Sequence, residues 1–173
     1  MQVAREREHG ALMIDTALPI VLREMRHADE GWVKRSWAGA MRHSPWSRGI
    51  PDEIYWPSQY LTISQILAQA STIVAVNPHD TDHLYASCTF GVPIAGESVL
   101  HWVEVKAEYR QLGIASALLL AAFGGSRPIY LTQPSDWTSR HQALLAKHGV
   151  VPSPYVLLGT HTTERDNGRA QVA

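Results

Sequence analysis

The sequence predicts an α+β fold with a mixed, mostly antiparallel central sheet of about six to seven strands and helices on both faces, in the order β-α-α-β-β-β-α-β-α-β. Three observations lead there. Apolar runs at 72–76, 84–92 and 99–106 follow one another across turn-length links, which marks an antiparallel meander. Two windows of helical periodicity, 30–42 and 58–70, lie between an earlier strand and that meander. Two further helical windows separate the strands that come after it.

Each element has a local reason. Residues 18–25 alternate as a strand, and Asp29 is placed to cap the helix that runs to Arg42. Residues 43–51 hold two prolines and Gly49, which predicts a loop. The second helix is expected from Ser58 to Ala70, with Tyr60, Leu61, Ile63, Ile66 and Leu67 on one face. The polar segment 77–82 turns the chain between strands, and the Gly/Pro segment after Val92 does the same. Residues 113–123 form a short helix closed by Gly124 and Gly125. A strand at 128–132 opens on a proline, a residue suited to a strand's first position. Ser135 caps a last helix that stops at Gly149, and residues 151–158 return to the sheet.

Bulk composition narrows the class. The chain has 173 residues, 45% of them hydrophobic, which suits one globular domain, read as 18–159 between a flexible arm (1–17) and a polar tail (160–173). Fifteen basic against sixteen acidic residues give a net charge of −1, and so no global attraction to nucleic acid or to an anionic membrane. No apolar run approaches membrane-spanning length, and the charged amino terminus lacks a signal-peptide core, so the cytoplasm is the expected location. A lone cysteine, Cys88, excludes an intrachain disulfide and sits in an apolar run, as a buried thiol would. The segment 79–83 contains two histidines and two aspartates, but a solvated hairpin turn accounts for it and no metal is expected.

The most informative stretch is Glu104 to Leu119. A strand breaks into the loop Arg110-Gln111-Leu112-Gly113, which opens directly into the apolar helix Ile114-Ala115-Ser116-Ala117-Leu118-Leu119. Such a helix start offers unpaired amides and the positive end of a dipole, a site for phosphate that needs no basic side chain. The strand 99–105 places His101, Trp102 and Glu104 beside this loop; strict alternation would put His101 on the face of Val103 and Val105, opposite Trp102 and Glu104.

These residues resemble the acetyl-CoA-binding segment of the GNAT superfamily of N-acetyltransferases. The signature (Gln/Arg)-x-x-Gly-x-(Gly/Ala) is met by Arg110-Gln111-Leu112-Gly113-Ile114-Ala115, and the element order agrees over most of the chain. The resemblance implies that acetyl-CoA, or another acyl-CoA, is bound as co-substrate. The amides of Leu112, Gly113, Ile114 and Ala115 would hold its pyrophosphate, with Arg110 and Gln111 flanking. Val103 and Val105 would bond the pantetheine arm through their backbone. A β-carbon at Gly113 would crowd the phosphate.

The resemblance also implies acyl transfer to an amine, which requires a proton acceptor near the nucleophile. His101 matches a base position of the arylalkylamine N-acetyltransferases, yet a strand histidine is equally a hydrogen-bonded core residue. Glu104 is the competing base, or else the partner of a cation. Many relatives carry a tyrosine acid where this chain has Leu145, so Tyr130 and Tyr155 are the candidates to replace it. The acceptor is expected near the connection of the first two helices, where Trp46, Arg48, Tyr55 and Trp56 suit a flat or anionic group. The aromatics there serve equally to plug the loop onto the core, and Arg48 to solvate the surface. The implied acceptor is a small-molecule or protein amine. A nucleic-acid base is a less favoured one, and a non-catalytic CoA-binding module is the rival from another class. Many relatives pair as homodimers.

Overall fold

Eight segments pair into one mixed sheet whose strand order follows the chain, β1 to β8. The computed structural model describes residues 5–7, 11–14, 18–91, 97–133 and 142–153. Strands β1 (Arg5–Arg7), β2 (Ala11–Ile14), β3 (Ile20–Glu24), β4 (Ser71–Asn77), β5 (Asp80–Gly91) and β6 (Ser98–Val105) pair antiparallel in succession. Strands β7 (Ile129–Leu131) and β8 (Val150–Pro152) are parallel to their predecessors, because a helix carries the chain back between each pair. Helices α1 (Glu30–Arg42) and α2 (Asp52–Leu67) precede β4; α3 (Ile114–Phe123) links β6 to β7, and α4 (Gln142–Lys147) leads into β8.

From β3 onward this is the predicted order. The sheet gains two strands over the six of the predicted element order because β1 and β2, within the segment read as an arm, extend it beyond β3. Helix α2 begins at Asp52, six residues before the expected start, and contains Pro57. As the sixth residue Pro57 lies past the first turn, so α2 forgoes one interior hydrogen bond there. Asp29 caps differently from expectation. Its carboxylate accepts the Arg26 amide at 2.7 Å and pairs with Arg23 at 2.6 Å, so it fixes the turn before α1 instead of α1 itself. The β4–β5 turn is the expected hairpin, with Asn77 Oδ1 accepting the His79 amide and Asp80 Oδ1 the Asp82 amide. Ser135, residues 154–158 and the tail lie outside the described residues.

Two cores sandwich the sheet. On one face Leu100, Val103, Val105 and Cys88 meet Leu118 and Leu119 of α3 and Leu145 of α4. On the other, Trp102 packs with Trp37 and Ala38 of α1 and Ile63 of α2. Trp37 and Trp102 are stacked at 5.6 Å and 8°, and each is at least 98% buried. Their rings join α1 to the sheet, and removing either would cost about 3–5 kcal/mol. Burial raises the Cys88 thiol above its usual range, which fits the inert thiol read from sequence. Among the described residues no helix is long and apolar enough to cross a membrane.

Candidate functional site

Strand β6 positions the candidate site because it changes partners halfway along. Ser98, Val99 and Leu100 pair in parallel with β7, and the Thr132 amide donates to the Leu100 carbonyl at 3.0 Å. From His101 onward β6 is paired on its β5 side alone among the described residues. The Lys106 amide donates to the Tyr85 carbonyl at 2.9 Å. Antiparallel ladders alternate, so Trp102 and Glu104 also turn their backbone groups to β5, while Val103 and Val105 turn theirs to the open side. An extended chain could add to that edge.

The register between β5 and β6 slips by one residue between the Thr89–Trp102 and Phe90–Leu100 pairs, which makes His101 a β-bulge. The bulge reverses the face expected for His101. Leu100, Val103 and Val105 lie in the α3 core. His101 instead shares the α1–α2 face with Trp102 and Glu104, its Nδ1 3.0 Å from Thr132 Oγ1. The ring lies over Gly91, where a Cβ would stand 2.9 Å from His101 Nε2.

After Val105 the chain makes a single 3-10 turn, Ala107–Tyr109, and then the predicted loop. Gln111 (φ 66) and Gly113 (φ 85) are both left-handed, and Gln111 is the only non-glycine with positive φ among the described residues. That conformation costs a side-chain-bearing residue about 1–2 kcal/mol, and such strain recurs at ligand sites. It gives Gly113 a second reason to be glycine, independent of crowding at a phosphate. Gly113 caps α3 with no side chain, and the first turn holds no acidic residue. The first helical bond runs from the Ala117 amide to the Gly113 carbonyl at 3.0 Å, so the amides before it have no partner within the helix. A diphosphate fits this cradle of free donors.

Arg110 does not extend toward that cradle. Its Nε donates to the Val105 carbonyl at 3.0 Å and its Nη2 to Glu104 Oε1 at 3.1 Å. Glu104 is nine-tenths buried; burial pushes its carboxyl up and Arg110 draws it part of the way back. Two fully shielded donors share the Glu104 face with no hydrogen-bond partner among the described residues, Ser87 Oγ directly across the ladder and Trp102 Nε1. Sequence reasoning passed over Ser87, whose only signal was a polar residue inside an apolar strand. His101 is as buried as Glu104, and burial pushes its imidazole down to about 4. It is therefore neutral at ordinary pH, and a weak base.

No family model matches the sequence, and no curated protein matches it either. Solved structures do resemble it. A protein from Pyrococcus furiosus, assigned as an acetyl transferase, superposes with a TM-score of 0.57 at 19% identity, covering 75% of this chain and 91% of the other. A GNAT-family acetyltransferase from Staphylococcus aureus Mu50 gives 0.52 at 16% identity, covering 74% and 81%. YjaB from Escherichia coli, solved in its apo form, gives 0.52 at 16% identity, covering 75% and 80%. The chain has the GNAT fold.

Leu145, the residue that the sequence resemblance aligned with a tyrosine acid, is buried. Leu145 is 3% exposed in the α3 core, so no hydroxyl stands there. Tyr130 is half-buried on β7, opposite Val99 in the ladder; Tyr155 lies outside the described residues.

The α1–α2 connection of the GNAT fold is held by Arg42, which donates to the carbonyls of Ser47 and Ile50 and pairs with Asp52 at 2.8 Å. The four residues singled out there divide. Tyr55 is buried, its hydroxyl donating to the Ala38 carbonyl at 2.7 Å, and Arg42 lies over its ring at 5.0 Å. Trp56 is half-buried, stacked on Tyr60 and packed against the Trp37–Trp102 core. Trp46 is 74% exposed and borders a cleft of about 250 Å³ with Ile50, Ile54 and Tyr55. Arg48 is exposed, and its side chain pairs with no described residue. Tyr55 and Trp56 thus plug the helices together, while Trp46 and Arg48 face solvent.

Proposed function

We propose that this chain is an acyl-CoA-dependent N-acyltransferase that moves an acetyl group from acetyl-CoA to an amine by direct attack in a ternary complex. The observation that carries the reading is the junction at the end of β6. An open strand edge at Val103 and Val105 runs into a left-handed loop whose free amides start α3. One ligand with an amide-bearing arm and a diphosphate would satisfy both.

Bound acyl-CoA supplies the activated thioester. The amides of Leu112, Gly113, Ile114 and Ala115 hold the diphosphate, with Gln111 shaping the loop. The backbone of Val103 and Val105 holds the arm. Glu104 accepts the proton of the attacking amine, since its carboxyl is raised toward the working range of a base. His101, neutral and tied to Thr132, keeps the bulge in place. Tyr130 protonates the leaving thiolate in this reading. Trp46 and Arg48 greet the acceptor, a small-molecule or protein amine.

Release of free CoA, followed with a panel of small amines, peptides and oligonucleotides, tests the reading. Turnover with an amine acceptor is the expected result. Tight binding of acetyl-CoA with no turnover on any acceptor would favour a CoA-binding module, the reading that the buried Leu145 supports.

A further inference from the structure

We propose that Arg110 is a positioning residue that holds the site closed until the acyl donor arrives, by occupying both the Val105 carbonyl and the Glu104 carboxylate. The inference rests on the acyltransferase reading and adds to it a coupling between donor binding and Glu104.

The geometry makes the two states exclusive. The Val105 carbonyl lies on the open edge of β6, where an added extended arm must bond, and Arg110 Nε already fills it at 3.0 Å. The same guanidinium reaches Glu104 Oε1 at 3.1 Å. Arg110 itself belongs to the loop that precedes the free amides of α3, and its side chain is 45% exposed. A diphosphate seated on those amides offers this arginine a stronger, bidentate partner in the direction of solvent. Moving to it vacates the Val105 carbonyl for the arm and leaves Glu104 without its cation. A buried carboxylate that loses its cation becomes a stronger base. The donor's own phosphates would thereby switch on the residue that deprotonates the acceptor.

The surroundings leave Arg110 as the charge that controls Glu104. Across the ladder stands Ser87, and along the strand Trp102, neither of which titrates here. His101 shares the face and is held neutral by burial. From α1, packed here through Trp37, Glu30 and Lys34 pair with each other. From α2 comes Tyr60, and Lys106 at the strand end lies over Trp32.

The test is a carbon-13 titration of the glutamate side chains in the full chain, free and saturated with CoA. The Glu104 resonance is assigned by its loss in Glu104→Gln. The expected result is an upward shift of the Glu104 midpoint on CoA binding. In Arg110→Gln the midpoint should already be high without CoA, and CoA should add nothing. Should that variant fail to fold, Arg110→Lys keeps a charge but lacks the fork that spans both acceptors, and its midpoint should fall between the two. CoA that binds and leaves the wild-type midpoint unmoved would overturn the role of Arg110 alone. Failure of CoA to bind at all would overturn the acyltransferase reading and this inference with it.

Discussion

His101 Nδ1 lies 3.0 Å from Thr132 Oγ1, which ties the bulge residue of β6 to the end of β7 where the two strands part. One buried polar contact thus marks both the reversal of side-chain faces and the start of the open edge. His101, read from sequence as either a base or a hydrogen-bonded core residue, is buried and makes this contact.

That role sets a pH signature. The folded chain resists protonating His101 (about 4), whereas the unfolded chain takes the proton near the ordinary value of 6.5. The stabilisation is therefore whole above the unfolded value and is lost as pH falls from there toward the folded one. A separation of this size corresponds to on the order of 3 kcal/mol. Denaturant unfolding of wild type and His101→Gln, at neutral pH and near pH ~5, should show a larger loss for wild type. Equal losses would remove His101 as the source.

Gly91 should be coupled to the same ring. A Cβ at that position would lie 2.9 Å from His101 Nε2, and the histidine cannot retreat without losing Thr132. Gly91→Ala is expected to cost about 1–3 kcal/mol. The cost should shrink in a His101→Ala background, and additivity in that double-mutant cycle would contradict the contact.

The tryptophans near the α1–α2 connection should separate by role. Trp56→Ala removes a ring packed on the α1–α2 core and should cost about 3 kcal/mol. Trp46→Ala, with its ring 74% exposed, should change stability by less than about 0.5 kcal/mol. Any effect of Trp46→Ala belongs in the acceptor KM, with affinity for acetyl-CoA unchanged.

Glu104→Gln keeps the shape and a hydrogen bond to Arg110 while removing the base. Turnover with a cognate amine should fall by about 100-fold or more, and acetyl-CoA should still bind. Unchanged kcat and pH profile would take Glu104 out of the chemistry.

Much of this arrangement was legible from local pattern. The α1 boundaries, the β4–β5–β6 meander and the Arg110–Gly113 loop followed from periodicity and from the Gly and Asn/Asp signals, which act over a few residues. What was missed depends on contacts distant in sequence. Alternation assumes an unbroken pleat, so it could not see the bulge at His101, which arises from the β5 register. The start of α2 was placed six residues late, since residues 52–57 were not read as helix and Pro57 lies inside it. Arg110 was read as a flank of the loop because nothing in the spacing shows that its side chain turns back to Glu104 and Val105. Among the aromatics, composition could not distinguish Tyr55 and Trp56, which are packed inward, from Trp46, which is not.

Calorimetric titration of acetyl-CoA into the full chain tests the central claim most directly. One-to-one saturable binding is predicted, weakened by about tenfold or more in Gly113→Val, a residue ill suited to the left-handed backbone at that position (φ 85). No binding at millimolar acetyl-CoA, or equal binding by Gly113→Val, would contradict the account of the β6–α3 junction.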